Sequence, residues 1–156
     1  IERKKDPNSH YQVGDIAKFR FAKKFDVIIC TYDTINHLLK FNQWEKIFLR
    51  VANYLEKDGV FIFDFNTESK LQKIDGSRLV KRANGLIVSM YVKCSKSRCQ
   101  WHIDINIRQG KRWTHRFERI DEISFVTKKV KNALSKRFSI IRIIEKNGRA
   151  FVAAKK

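Results

Sequence analysis

Phe25 to Cys30 (Phe-Asp-Val-Ile-Ile-Cys) is a β-branched apolar run of the kind buried on both faces of a parallel sheet. From Asn42 to Leu55 the apolar positions Trp44, Ile47, Phe48, Val51, Ala52 and Leu55 fall three and four apart. That spacing predicts a helix with a single apolar stripe and Asn42 as its N-cap. Lys57-Asp58-Gly59 ends the helix in a turn, and Val60 to Phe65 reads as a second buried strand, so strand, helix and strand make a βαβ unit. Upstream, His10 to Ile16 reads as a short strand closing on Gly14-Asp15.

The period shortens after Gly85. Leu86 to Val92, then Trp101, Ile103, Ile105 and Ile107, alternate with polar residues, the pattern of half-buried antiparallel strands. Lys96-Ser97-Arg98 lies at the turn between them, Gly110 breaks the next hairpin, and Arg112 to Ile120 forms a third strand. Ser124 is placed to cap a last helix with Val126, Val130, Ala133 and Leu134 on one face. Phe138 to Ile144 and Ala150 to Ala153 follow as strands around the turn Asn147-Gly148. The expected organisation is therefore a βαβ core over 1–75, an antiparallel insertion over 76–122, and a final helix and hairpin over 123–156.

Composition adds a size and a charge. With 156 residues, 43% of them apolar, the chain is long enough for one domain with a real core, which excludes disorder. The net charge of +18 is unevenly spread: up to Asp75 there are 13 Lys and Arg against 11 Asp and Glu, and after it 21 against 5. A field concentrated in one half suits an acidic partner such as RNA. Nothing approaches the roughly 18 apolar residues of a membrane span, and no signal peptide opens the chain. Three cysteines without secretory features predict reduced thiols in a cytoplasmic protein rather than disulfides. Cys94, Cys99 and His102 lack a fourth ligand for zinc, so no metal is expected.

The chemistry concentrates behind the first apolar strand. Thr31-Tyr32-Asp33-Thr34-Ile35-Asn36-His37-Leu38 is a polar cluster at a strand's carboxyl end, where open α/β sheets place their ligands. Three stretches agree in order and spacing: Val13-Gly14-Asp15-Ile16; Phe25 to Cys30 with Tyr32 and Asn36-His37-Leu38 behind it; and Leu55-Glu56-Lys57-Asp58-Gly59-Val60-Phe61-Ile62-Phe63-Asp64. Together they resemble the class I S-adenosylmethionine-dependent methyltransferases. The resemblance implies an α/β fold, a Rossmann-like methyltransferase sheet carrying an antiparallel β insertion, with S-adenosylmethionine as cofactor and methyl transfer to an acceptor as the activity. It implies that Asp15 accepts from the adenine amino group, that the Ile16 backbone reads the ring, and that Cys30, Thr31 and Tyr32 lie along the methionine part. Tyr32, Asn36 and His37 would then stand beside the methyl acceptor, a small molecule or RNA.

The resemblance starts only after the family's Gly-rich cofactor loop. The sheet is expected to be incomplete, with Ile1 to Asp6 matching the end of an earlier helix. The strand near Tyr11 to Asp15 is then poorly paired, or a second copy of the chain completes the sheet. A rival reading makes the chain a non-catalytic methyltransferase-like module that binds RNA or another polyanion through its basic C-terminal half. Trp101 and Trp113, with Arg108, Arg112 and Arg116, would stack and neutralise a single strand.

Overall fold

A computed structural model of the chain describes residues 10 and 13–156. The apolar runs form two strands, β1 (Phe25–Cys30) and β2 (Leu55–Asn66), which pair in parallel and are linked by helix α1 (Phe41–Tyr54). The stripe read from the sequence is the buried side of α1: Trp44, Ile47, Phe48, Val51 and Ala52 are all at most 6% exposed. The helix begins one residue before the predicted cap. The Gln43 side chain reaches back to accept from the Lys40 N–H at 3.0 Å, so Lys40 takes the N-cap position and Asn42 lies inside the first turn.

The turn expected at Lys57-Asp58-Gly59 is a bulge within β2 instead. Phe25 faces Leu55 while Val27 faces Val60, so β2 carries extra residues opposite Asp26. Asp58 takes φ 65°, and a Cβ on Gly59 would sit 3.1 Å from the carbonyl oxygens of Asp26 and Glu56. Only glycine fits that approach without displacing backbone.

After β2 come a short helix α2 (Glu68–Lys73), strands β3 (Arg78–Ala83), β4 (Leu86–Ser95), β5 (Arg98–Gln109) and β6 (Arg112–Ile123), helix α3 (Thr127–Leu134), and strands β7 (Ile140–Lys146) and β8 (Arg149–Lys155). The pattern over 66–83 did not announce α2 or β3. The strands form two four-stranded sheets, β1-β2-β8-β7 and the meander β3-β4-β5-β6. In the first sheet β8 runs antiparallel to both β2 and β7. Its core face is a stack of Phe61, Phe63 and Phe65, with centroids 4.7 and 6.2 Å apart, roofed by α1 and α3.

Four expectations need correction. First, β1 is not buried on both faces: Val27 is 49% and Ile29 61% exposed, and Ile62, Ile140, Ile144 and Phe151 continue that open side. Among the described residues no element covers it. Second, Val13 to Asp15 is not a strand; Asp15 Oδ1 accepts the Ala17 N–H at 2.8 Å and the chain turns over Ile16 to Lys18. No strand among the described residues pairs with the outer edge of β1, so this segment has no ladder to join. The rest of the expected strand and helix end, at residues 1–9, 11 and 12, lies outside the described residues. Third, Ser124 does not cap α3. It leaves β6 three residues before the helix, buried with an unpartnered hydroxyl, and Val126 is exposed rather than on the apolar face. Fourth, Cys94 and Cys99 are joined in a disulfide. They face each other across the β4–β5 hairpin, where the register brings two thiols together. Neither is therefore a reduced thiol or a zinc ligand. No helix among the described residues is long and apolar enough to cross a membrane.

Candidate active site

At the carboxyl end of β1 the backbone folds back sharply: Tyr32 has φ 59° and Asp33 φ 49°. Two consecutive left-handed residues, one of them aromatic, cost about 1 to 3 kcal/mol each unless the surroundings hold them. Here they are held. The Asp33 N–H points at Asp64 Oδ1 (3.3 Å), and Arg149 bridges both carboxylates, reaching Asp64 Oδ2 at 2.8 Å with Nη1 and Asp33 Oδ1 with Nη2. Asp64 comes from the end of β2 and Arg149 from the start of β8, so three chain segments meet at one rim. All three side chains are at most 30% exposed, which strengthens the pairs over those at a surface.

The 3₁₀ turn Thr34–His37 starts from this kink. Asn36 is fully buried with its amide saturated. Nδ2 donates to the carbonyls of Asn66 (3.0 Å) and Ile123 (2.8 Å), and Oδ1 accepts the Asn66 N–H (3.0 Å). It fastens the end of β2 in one sheet to the end of β6 in the other, and its side chain has nothing left to offer a substrate. His37 is exposed, with Nδ1 3.3 Å from the Asp121 carbonyl. A carbonyl only accepts, so Nδ1 carries the hydrogen, and in the neutral imidazole Nε2 presents the lone pair.

Beside His37 lies a carboxylate that the sequence did not single out. Glu122, at the end of β6, is 4% exposed, and one ligating atom each of Asp33, His37 and Glu122 lie within 4.8 Å of one another. Burial, reinforced by Asp33, raises the Glu122 pKa above the usual carboxylate range; His37, Asn66 and Trp101 oppose the shift. The hydrogen bond it accepts from Asn66 Nδ2 is long at 3.5 Å. The signal in the sequence was a pair of adjacent acids closing a strand rich in arginine, Ile120-Asp121-Glu122-Ile123. Asp64 and Arg149 were also missed as a pair, because 85 residues of chain separate them, although Asp64 is the one charge in Val60 to Phe65.

The residues expected along the cofactor divide between two cavities. Asp15, Ile16 and Cys30 line one of about 280 Å³, walled by Phe19, Phe21 and Ile28 on the α1 side of the sheet. Thr31 and Tyr32 line another of about 480 Å³ on the open side, together with Asp64 and Arg149. The strand end lies between them. Burial, with a smaller contribution from Asp64, pushes the Cys30 thiol up to about 11, so it is a neutral wall group and not a nucleophile.

No family model matches the sequence, and no curated protein matches it. Solved structures do match. A S-adenosylmethionine-dependent methyltransferase from Clostridium acetobutylicum aligns over 92% of this chain and 63% of its own, at 22% identity and a TM-score of 0.78. A sugar N-methyltransferase from Streptoalloteichus aligns over 99% and 65%, at 14% identity and a TM-score of 0.84. An amino pentose methyltransferase of calicheamicin biosynthesis from Micromonospora echinaspora, solved with S-adenosylmethionine bound, aligns over 98% and 67%, at 16% identity and a TM-score of 0.76. The fold is the methyltransferase fold. It is present as an incomplete Rossmann-like sheet with an antiparallel second sheet, and the chain spans roughly two thirds of the length of these three structures. In this methyltransferase fold the kink, the Asp33–Arg149–Asp64 bridge and the two cavities lie at the carboxyl ends of β1 and β2, the position at which open α/β sheets hold their ligands.

Proposed function

We propose that this chain is the larger part of a S-adenosylmethionine-dependent methyltransferase that acts on an amine. The observation that carries the reading is the strained, salt-bridged rim at the end of β1, with His37 and two carboxylates on one side and a largely apolar cavity on the other. The cavity's lining suits the cofactor's base: aromatic and aliphatic walls for a ring, and the half-exposed Asp15 carboxylate as acceptor for an exocyclic amine. Its volume, at the lower limit of small-molecule sites, suits the adenosine end rather than the whole cofactor. Asp15 and Ile16 would hold adenine, and Cys30, Thr31 and Tyr32 would flank the methionine portion at the strand end. When bound, S-adenosylmethionine would supply an electrophilic methyl group on its sulfonium.

The acceptor side follows from charge. An amine arrives largely protonated, and the Asp33 and Glu122 carboxylates attract it. In its neutral form the His37 imidazole offers a lone pair at Nε2 that can take the proton an amine must lose to attack. Asn36 acts through His37, fixing the turn from which the imidazole projects. The names of two neighbours, a sugar N-methyltransferase and an amino pentose methyltransferase, support an amino sugar as the acceptor class.

The test is transfer of tritiated methyl from S-adenosylmethionine to a set of amino sugars and to the same sugars with hydroxyl in place of the amine. Label on the amines alone is expected. Equal label on the hydroxyl analogues would sink the amine assignment.

A further inference from the structure

The antiparallel sheet has a side that the catalytic reading does not use. Cross-strand partners point to the same side of a sheet, so the register sorts its residues into two faces. Trp101, Arg112 and Arg116 share the face on which Leu71 of α2 packs, whereas Trp113 and Arg108 lie on the opposite one. The set expected from the sequence to grip a single strand is therefore split. The far face assembles a different set. Its rings are Tyr91, His102, Phe117 and Trp113, and its cations are Arg78, Arg82, Lys93, Arg98, Arg108 and Arg119.

Three of the rings form a continuous track across three strands. Tyr91 to His102 is 6.2 Å and His102 to Phe117 6.0 Å between centroids, and the Arg78 guanidinium sits 5.3 Å over Tyr91 at the β3 end. Phe117 is 54%, Trp113 51% and Tyr91 37% exposed. Aromatic side chains left in the open on a sheet serve no core. The face carries two carboxylates against its six cations. Both are engaged by its own groups, Asp104 by His115 at 2.9 Å and Asp121 by Gln100 at 2.9 Å and by Arg119, one of the six cations, at 3.5 Å. A positive field with flat rings between the charges matches a strand of stacked bases on a phosphate backbone.

We propose that the face of the β3–β6 sheet bearing Tyr91, His102 and Phe117 is a platform for single-stranded RNA. Bases stack on the rings, and Arg78, Arg82, Lys93, Arg98 and Arg108 neutralise phosphates along either side. Ser89 and Asn106 lie among the rings as neutral hydrogen-bonding groups, able to meet a 2′-hydroxyl, and they favour RNA over DNA.

The experiment is fluorescence anisotropy of a labelled single-stranded RNA of mixed sequence, about 12 nucleotides long, titrated with the 156-residue chain at rising salt. Binding is expected, with log affinity falling against log salt at a slope of about −3 to −4, the counterion release of some five phosphate contacts. Tyr91→Ala with Phe117→Ala should weaken binding about tenfold or more at unchanged slope. Arg78→Glu with Arg82→Glu should flatten the slope by about 1 to 1.5. Lys81→Glu with Arg116→Glu, on the other face, should leave the aromatic effect intact and cost much less. Trp113 emission should be quenched on binding, and Trp113→Phe should abolish that quench whatever its effect on affinity. No binding at about 50 mM salt, equal losses from the two faces, equal affinity for DNA of the same sequence, or displacement of the RNA by phosphatidylserine vesicles would each overturn the proposal.

Discussion

The two four-stranded sheets use similar strand residues to opposite ends. The β1-β2-β8-β7 sheet has one face roofed by α1 and α3, and three of its aromatic residues are spent there: Phe61, Phe63 and Phe65 are at most 1% exposed, with Phe151 left on the open side. The β3-β4-β5-β6 sheet has a small cluster, Leu71 of α2 and Ile74 against Val92, Cys99 and Trp101, and Trp113 and Phe117 stay in the open. In place of a larger core it has a cross-strand disulfide between Cys94 and Cys99. A sheet that packs helices can set atoms to the tolerance chemistry requires, and one that does not is free to be a surface. The candidate site lies where they meet: Asn36 ties β2 to β6, and Glu122 of the second sheet completes a cluster begun by Asp33 and His37 of the first.

That contrast can be broken by substitutions whose effects should descend in order. Arg149→Ala removes the partner of two carboxylates on the packed sheet and should cost about 3 to 5 kcal/mol, because Asp64 is left charged and buried. A denaturant midpoint that hardly moves would mean the rim is solvated. Asn36→Ala strands the Asn66 N–H and two carbonyls between the sheets and should cost about 2 to 3 kcal/mol. Hydrogen exchange should show the loss at both β2 and β6; a loss confined to one sheet would contradict the strut. Cys94→Ser with Cys99→Ser should cost about 2 kcal/mol through the short closed loop. Its exchange signature should stay within β4, β5 and α2, whose Leu71 packs on Cys99.

The smallest effect is electrostatic. The Glu122 pKa is raised in the folded protein, so the folded state binds that proton more tightly than the unfolded chain. This group favours folding most below the ordinary carboxylate pKa, and the contribution is lost as pH rises through the raised value. Glu122→Gln should therefore gain thermal stability at neutral pH relative to the parent, with the gap closing on acidification. A gap independent of pH would place Glu122 in an ordinary carboxylate environment.

Much of the packed sheet was legible in the sequence and much of the other was not, for physical reasons. A helix stripe such as Trp44, Ile47, Phe48 and Val51 has one way to be buried, and β1 is bounded as its apolar run predicts. The strands β4, β5 and β6 were readable from alternation, but alternation does not say whether anything covers either face. β3 was missed because Arg78 to Ala83 is exposed throughout and carries no burial pattern. In the site, the motif around Asn36 and His37 located the kink, whereas the partners of Asp33 come from β8 and β6, whose approach depends on register. Asp15 was read as a strand end, and the structure makes it a turn residue at a cavity rim.

In the proposed function the cavity between Asp15 and Cys30 holds the adenosine end of S-adenosylmethionine. Calorimetric titration of S-adenosylhomocysteine into the chain and into its Asp15→Ala variant tests this without any acceptor. Binding at one site per chain is expected, weakened in the variant by about 1 to 3 kcal/mol through loss of a hydrogen-bond acceptor. Absence of binding to the parent chain, or equal affinity in the two proteins, would contradict it.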